Sequence, residues 1–570
     1  MKLLLAFLIF GAISCDSSKS KKQENILNVA LTAGVSGLDP ALSYDTVSAQ
    51  VVYQVHETLY EYEYLIRPYS IKPLLAKELP KITDDGLTYT IKIKDNIYYH
   101  SHPSLSEKRE VKAQDFINQI KRIAFKKTQS PAWWLFADKI KGLNHFRDKA
   151  KSLDDFKKLK VEGLTALDET TLEIKLETVY PQLIYALAMS FTAPTPLELI
   201  NHFNNDLSQH PIGTGPFKFA NWEKNLEINL KAFSNYHVNT YPKAGDRFSY
   251  ENKLMQDAGK RIPFLGGIKF HVINEARPRM QNFLKGNLDF IILTKDYLQM
   301  ALNYKGDLKK ELKERDISLQ ISPTLTYWWL AFNMKDKVVG SNLNLRKAIA
   351  HAIDNERYIK LFTTNTGLKA NSIFPPGIPG YNPSSELPYS YDLNKAKSFL
   401  DKAGYPNGKG LPTLSFDVRG ASSTSRQMAD FIKSELKKIG INIEIQTNTF
   451  PAFLNKSKNG QLQFWQGGWT MDYPDSENIG QLLISTNHPP GPNTSFYENE
   501  RVDKLYRQLS KLKREADPGP LMSQIEAQVN IDLPWVMQYY ARSYVLSNKR
   551  VKNFRYSDIV FNMYKYLRLE

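Results

Sequence analysis

SRQMADFIKSELKKIGINIEI, residues 425–445, changes period halfway along. Met428, Ile432, Leu436 and Ile439 recur at helical spacing and fall on one stripe, and Gly440 supplies a C-terminal stop. Ile441, Ile443 and Ile445 then alternate with polar residues, the period of a half-buried strand. A helix feeding directly into a strand is the repeating unit of an α/β layer. Working outward, the same alternation appears in TYTIKIK (88–94), LEIKLE (172–177), LEINL (226–230) and IKFHVI (268–273). Asp392 stands where a helix N-cap belongs and Gly404 where that helix ends. HPIGTGPF (210–217), FPPGIPGYNP (374–383) and YPNGKGLP (405–412) punctuate the pattern. Residues 236–263 are polar and poorly periodic and read as a long surface excursion. The expected class is α/β in several lobes.

The 570 residues are 42% hydrophobic, enough for a large core, and divide into about three units at roughly 100–200 residues per domain. The net charge is +16, but the lysines are scattered among acids rather than gathered into an arm. That pattern is a basic solvated surface and not a nucleic-acid footprint. MKLLLAFLIFGAISC opens the chain with one cation, Lys2, and an apolar run from Leu3 to Phe10. About 20 apolar residues are needed to span a bilayer, so the run reads as a secretion signal. It resembles a bacterial lipoprotein signal, in which the cysteine becomes the lipidated first mature residue; here that is Cys15, although Ala12 stands where the pattern usually has Leu. Cys15 is the only cysteine, so neither an internal disulfide nor a thiolate metal cluster is available. DSSKSKKQEN (16–25) has the polar composition of a tether. Asp16 resembles an inner-membrane retention signal. The body of the chain is expected outside the cytoplasm, held to a membrane by lipid.

The sequence completes no familiar catalytic pattern. GYPNGKG (404–410) lacks the spacing and the hydroxyl of a phosphate-binding loop. His56-Glu57 is not followed by a second histidine at helical spacing, and no Gly-x-Ser-x-Gly elbow occurs. His100 and His102 sit in a Pro/Ser loop and read as a surface pair. No cofactor and no metal site is expected, and the chain is read as a non-enzyme.

FWQGGWTMDYPD (464–475) places two indoles, a Gly-Gly pair and bare carboxylates together. Locally, one reading has Asp472 capping a turn before Pro474 with the tryptophans in the core. The other is a site for a small cation. A set of stretches bears on the choice: GLDPALSYDTVSAQVVYQVHETLYEY (37–62), ITDDGLTYTIKIKDNIYYH (82–100) with VKAQDFINQIKR (111–122), IGTGPFKFANWEKN (212–225), LNLRKAIAHAIDNERYI (343–359), FPPGIPGYN (374–382), YDLNKAKSFLDKAGYP (391–406) and FWQGGWTMDYPD itself. In order and number they resemble the oligopeptide/dipeptide/nickel group of extracellular solute-binding proteins of bacterial ABC importers, from about residue 26 to the C-terminus.

The resemblance implies a two-lobed, hinged clamshell with a smaller inserted α+β domain: lobe I from 26–65, 192–273 and 535–570, the inserted domain from 66–191, and the other lobe from 274–534. It implies capture of a peptide by cleft closure, working with a permease and separate ATPase subunits, as a monomer. Asp472 matches the aspartate that pairs with a ligand's N-terminal ammonium. Gly468, Trp469 and Thr470 match a segment that bonds the ligand backbone, and Tyr44, Asp45 and Thr46 a second such segment. Gly467 and Gly468 would let a ligand strand approach closely, and Trp465 and Trp469 would wall its side chains. Trp133 and Trp134 read as core. Gln466 stands where some oligopeptide binders carry an arginine for the ligand carboxylate, which leaves ligand length open. A non-peptide cargo in the same fold (a nickel complex, haem, an oligosaccharide) and an exported hydrolase are the alternatives.

Overall fold

The computed structural model describes residues 25–570, apart from 304–305, 364–365, 420–422, 449 and 490. Cys15 and the segment before residue 25 lie outside the described residues.

One mixed sheet of 11 strands runs through the described chain. We label ten of them in chain order: β1 (Ile26–Leu31), β2 (Phe217–Glu223), β3 (Glu227–Ala232), β4 (Gly267–Val272), β5 (Phe290–Ile292), β6 (Ile317–Phe332), β7 (Leu414–Arg419), β8 (Ile443–Asn448), β9 (Phe464–Thr470) and β10 (Trp535–Asn548). Their spatial order is β8-β7-β9-β6-β10-β5-β1-β4-β3-β2, and the short strand Leu368–Lys369 pairs on β10. The helix Ser423–Lys437 connects β7 to β8, which lie parallel from Leu414↔Ile443 to Arg419↔Asn448. Ile432, Leu436, Ile439, Ile441 and Ile443 are buried in this layer, as the change of period predicts. Gly440 turns the chain at φ +90°, and a Cβ there would lie 2.1 Å from the carbonyl oxygen of Asn407.

At the other end, β1 runs parallel to β4, and β4, β3 and β2 form an antiparallel meander. β5 joins β1 to β10, so the stretch around residue 290 sits beside β1. A separate four-stranded sheet within residues 81–175 carries the alternating Tyr89, Ile91 and Ile174 inward. The helix Ala113–Ala124 packs on that sheet and ends near Arg122. The guanidinium of Arg122 meets Asp39 at 2.5 Å with both side chains fully buried. Asp39 belongs to the Leu-Asp-Pro turn after β1, so this ion pair pins the helix Ala113–Ala124 to that turn.

The two lobes are sewn together by β6 and β10. They pair antiparallel from Ile317↔Asn548 to Ala331↔Trp535, with register shifts between Pro323 and Tyr327 and between Trp328 and Trp329. Pro323 has no N–H to give the ladder, and the irregular stretch 324–326 is where the strands pass from one lobe to the other. There Leu325 N–H donates to Asp558 Oδ2 at 3.1 Å instead of to a strand.

Residues 236–263 differ from the expected surface excursion. Tyr236, Tyr241 and Ile262 are buried, Asp246 pairs with Arg555 at 2.6 Å, and Asp257 with Arg568 at 2.9 Å. Partners some 300 positions away in sequence leave no local periodicity, so a stretch stapled to the C-terminal segment reads as loop.

Candidate functional site

β9 ends at the level of the register break. Met471 N–H donates to Leu325 O at 3.0 Å, which sets Asp472 one residue beyond, between the lobes. Asp472 is half-buried, and burial pushes its carboxyl above the ordinary 3.8. Its Oδ2 accepts from Asn478 Nδ2 at 3.2 Å, and its Oδ1 accepts from the Tyr44 hydroxyl at 3.4 Å. Among the described residues it forms no ion pair with any Lys, Arg or His. A carboxylate held out of water with two neutral donors and no cation is under-neutralised, and a cationic partner would restore its charged form.

Asn478, which the sequence reading missed, organises this corner. It is fully buried, and its Oδ1 accepts from Trp469 Nε1 at 3.0 Å and from Asp472 N–H at 3.3 Å. One amide thus fixes both the indole and the acid. Its only sequence signal is its place on the short helix Glu477–Gly480, six residues after Asp472. Asp472 does not act as the turn cap of the local reading: Asp475 accepts the Glu477 N–H at 2.8 Å.

Tyr44 comes from 428 positions earlier in the chain. It lies just before the helix Thr46–Val55, is half exposed, and stacks on Phe191 with ring centroids 5.5 Å apart. Burial, then the charge of Asp472, pushes its hydroxyl up to about 12, so it stays a donor at neutral pH; Trp134 also hydrogen-bonds it. Asp45 is committed locally: Oδ1 caps the helix through Val47 and Ser48 N–H groups at 3.1 and 2.7 Å. Thr46 is exposed on the first turn. Trp133 packs against the core and under the Arg147 guanidinium, whereas Trp134 faces Tyr44 at the surface.

The Gly-Gly pair has a different occupant from the one the sequence suggests. A Cβ on Gly467 would lie 2.6 Å from the Trp329 ring, and one on Gly468 2.5 Å from the Trp328 ring. The glycines admit two indoles of the neighbouring strand β6, and the ligand-facing feature is instead the strand edge. In an antiparallel ladder, bonded and non-bonded pairs alternate. With Met471 bonded to Leu325, residues 468 and 470 turn their N–H and C=O groups away from β6. Among the described residues β7 pairs with β9 only at Phe464 and Trp465, so no described strand covers this edge beyond Trp465. Arg419, at the end of β7, donates to Gly468 O at 3.1 Å. Thr470 is exposed and shares a 2.9 Å hydrogen bond with Thr326. Trp465 is buried, as in the core alternative, and Trp469 is half-buried. Gln466 is buried and bound to Tyr358 at 2.7 Å and Gln538 at 3.0 Å, so it is a core amide.

Next to Asp472, Tyr473 stacks on Tyr185, centroids 5.4 Å apart and rings 6° from parallel. Asp475 is pushed up to about 7, chiefly by burial, and Gln182 hydrogen-bonds it. Glu477 accepts from the hydroxyls of Tyr473 at 2.7 Å and Tyr506 at 2.5 Å. His100, by contrast, is buried away from this cleft, with its Nε2 2.9 Å from Gly215 O.

A lobe pair joined by crossing strands, with an under-neutralised acid and an uncovered strand edge where they meet, is an arrangement suited to binding a solute. Residues 70–490 match the family model of the bacterial extracellular solute-binding proteins, family 5. The chain belongs to that family and is a substrate-binding protein of an ABC importer. It is 24% identical over 588 residues to heme-binding protein A of Haemophilus influenzae, covering 99% of this chain and 97% of that protein. It is 24% identical over 429 residues to the dipeptide-binding protein of Escherichia coli K12, covering 74% and 72%. Among solved structures, the periplasmic binding protein DppA of Helicobacter pylori in complex with the peptide STSA is similar, at 25% identity and TM-score 0.70, with 96% of this chain and 98% of that one covered. HbpA2 of Haemophilus parasuis has the same fold, at 23% identity and TM-score 0.76, with 96% and 99% covered. These relatives are solute-binding proteins of the two-lobed type, found outside the cytoplasm.

Proposed function

We propose that the chain is a peptide receptor, lipid-anchored through Cys15 on the outer face of a cell membrane, that captures its ligand by cleft closure and hands it to a permease driven by separate ATPase subunits. In this reading residues 66–191 are the inserted domain, and closure brings Tyr44 of the first lobe onto Asp472 of the other. The ligand's N-terminal ammonium takes the Asp472 carboxylate, and its backbone lies along the edge of β9 at Gly468 and Thr470 beside Trp469. Tyr44 acts from across the cleft; Asp45 and Thr46 act only by fixing the segment that carries it.

The observation that carries this reading is the acid itself: Asp472 lies between the lobes, is raised by burial, and meets neutral donors only. Main-chain pairing along a strand edge is indifferent to side chains, and an amine on a fixed carboxylate sets direction. Breaking a buried charge pair costs about 2–5 kcal/mol, so Asp472→Asn is expected to weaken free-amine peptides by roughly 30-fold or more. The same peptides N-acetylated should bind the wild type and the variant alike. Calorimetric titration of both peptide forms checks this, and equal losses for both would remove Asp472 from the role. Native mass spectrometry of the purified protein reads the cargo directly; a co-purifying haem or metal complex in place of peptide would redirect it.

A further inference from the structure

A cavity of about 640 Å³ shares no lining residue with the corner at Asp472; its walls come from residues 77–108 and 234–261. Its volume falls in the range of about 300–1,000 Å³ in which small ligands sit. We infer that this cavity is a phosphate site, and that the phosphate it takes is the headgroup of an acidic phospholipid in the membrane that holds the chain.

His237 carries the first observation. Its side chain is 5% exposed, its Nε2 lies 2.8 Å from Glu57 Oε2, and its Nδ1 has no hydrogen-bond partner among the described residues. Glu57 is fully engaged behind it, accepting also from the hydroxyls of Tyr236 at 2.7 Å and Thr214 at 3.3 Å. Burial works to raise the Glu57 carboxyl, but the charge and hydrogen bond of His237 outweigh it and hold the carboxyl below its ordinary 4.5. With Nε2 on Glu57, the ring edge bearing Nδ1 is the one left for the cavity that His237 lines. A buried polar atom left unmade is costly, and an imidazolium donates from both nitrogens. An anion on Nδ1 would complete a chain from Glu57 through His237 to the ligand.

Charge is the second. Lys77, Lys94, Lys108 and Arg261 line the cavity against one carboxylate among the described lining residues, Asp95. Lys77 pairs with that acid at 2.8 Å. Lys94 donates to Leu74 O at 2.6 Å and Arg261 to Tyr236 O at 3.1 Å, neutral acceptors that leave both charges unbalanced. Burial pulls the Lys94 ammonium below its ordinary 10.5, a shift that an anion beside it would reverse. Lys108 and Arg261 are exposed. Three cations with no acid of their own, converging with an imidazole on one hollow, select an anion that offers several oxygens. Phosphate does so, taking a guanidinium bidentately and ammonium groups as point charges.

Position is the third; it decides the source of the phosphate and rests on the lipid anchor proposed at Cys15. Asn25 Nδ2 donates to Phe264 O at 2.6 Å, and Gly266 N–H to Asn25 O at 2.7 Å. Arg261 stands three residues before Phe264, at most about 11 Å of chain. Ten residues separate Asn25 from Cys15, at most about 36 Å of chain. The anchored segment therefore joins the fold beside this cavity, and a link that short presents headgroups to it at a high effective concentration. Val238, 76% exposed, lines the same cavity and gives an apolar contact that suits the glycerol of a lipid headgroup better than inorganic phosphate. Engagement would hold residues 234–261 against the membrane and so orient the tethered receptor.

The test is co-sedimentation of the full chain carrying Cys15→Ser with vesicles of phosphatidylcholine alone and with vesicles that also hold phosphatidylglycerol, at about 0.1 M salt. Any apolar affinity of the segment before Cys15 is common to both vesicles, so the ratio of the two reads the headgroup. It is expected to favour the acidic vesicles by at least about 50-fold, since each cation near an acidic surface is worth about fivefold. Adding Lys108→Gln and Arg261→Gln should lower the ratio roughly 25-fold. Lys310→Gln with Lys313→Gln, which removes the same charge from a short helix elsewhere, should leave it within about twofold. Thermal melting reads whether each variant is folded, and calorimetry with glycerophosphoglycerol, the soluble headgroup, reads the site without a bilayer. A loss confined to the cavity variant supports the lipid headgroup. Heat from glycerophosphoglycerol that the cavity variant abolishes, without any change in its vesicle ratio, keeps the phosphate site but overturns the lipid source. Equal losses in the two double variants, or no preference for acidic vesicles together with no heat, overturn the site. Fractionation of cells expressing Cys15→Ser reads the anchor separately, so a failed anchor and a failed site give different results.

Discussion

Closure of this protein should be proton-linked through Asp475. The residue is pushed up to about 7, chiefly by burial, where an exposed aspartate sits at 3.8. Gln182 and Tyr185 cover it, Ser476 and Glu477 flank it, and Lys513 and Arg514 share the small cavity of about 270 Å³ beside it; in the proposed domain division this burial comes from the meeting of the lobes. Opening the cleft returns the carboxyl to water and toward 3.8. Between about pH 4 and pH 7 the closed state therefore holds a proton that the open state has released. The closed form is favoured in acid, weakens as pH rises through this window, and levels off above about 7. Each tenfold in proton affinity is worth about 1.4 kcal/mol, which makes about 4 kcal/mol the ceiling. The neighbours that remain in the open state cut this to roughly 2 kcal/mol, a 30-fold change in the ligand-free closure equilibrium. Asp472, also raised, titrates in the same direction without ligand. Small-angle X-ray scattering of the ligand-free protein from pH 4.5 to 8 reads the outcome as a growing radius of gyration. Asp475→Asn keeps an oxygen for the Glu477 N–H and cannot titrate, so its curve should be much flatter. A radius that does not change with pH in the wild type, or an equal slope in both proteins, refutes the reasoning.

Two further outcomes follow from the packing and a third from the proposed lipid anchor. Gly468→Ala drives a Cβ to 2.5 Å from Trp328, which itself stacks on Tyr539 at 6.2 Å; overpacking of this kind costs about 1–3 kcal/mol, and thermal melting together with tryptophan fluorescence should register both the loss and the displaced indole. Arg122→Met strands the fully buried Asp39 carboxylate and is expected to cost about 3–5 kcal/mol, whereas adding Asp39→Leu to it should recover much of the loss in urea unfolding. Cys15→Ser should move the protein from the membrane fraction to the soluble fraction on cell fractionation, with peptide affinity unchanged.

Local order left a clear imprint on the chain. The switch from helical to alternating spacing at 425–445 gave the helix Ser423–Lys437 and the strand β8 because both periods follow from the geometry of single elements. Asp392 caps its helix through the N–H groups of Asn394 and Lys395, each at 3.0 Å, as a side chain two or three positions from its partners can. Asp472 could be singled out from its motif. Its state could not, because burial raises the carboxyl and that burial is assembled from distant places: Tyr44, whose hydroxyl donates to it, is 428 positions away, and Met471 is aligned by a bond to Leu325.

Elsewhere the sequence named the residue and the tertiary structure chose its use. The Gly-Gly pair was legible as a need for close approach, but only the pairing of β9 with β6 decides that Trp328 and Trp329 fill the space. Asp45 was legible as polar and near the cleft, yet a helix beginning at Thr46 takes its oxygens. Asn478 and Arg419 have no local signature, since each acquires meaning from a neighbour on another element. Periodicity and capping are settled within a few residues and so can be read along the chain. The charge balance of a cleft is a sum over groups that meet only once the lobes and their crossing strands are in place.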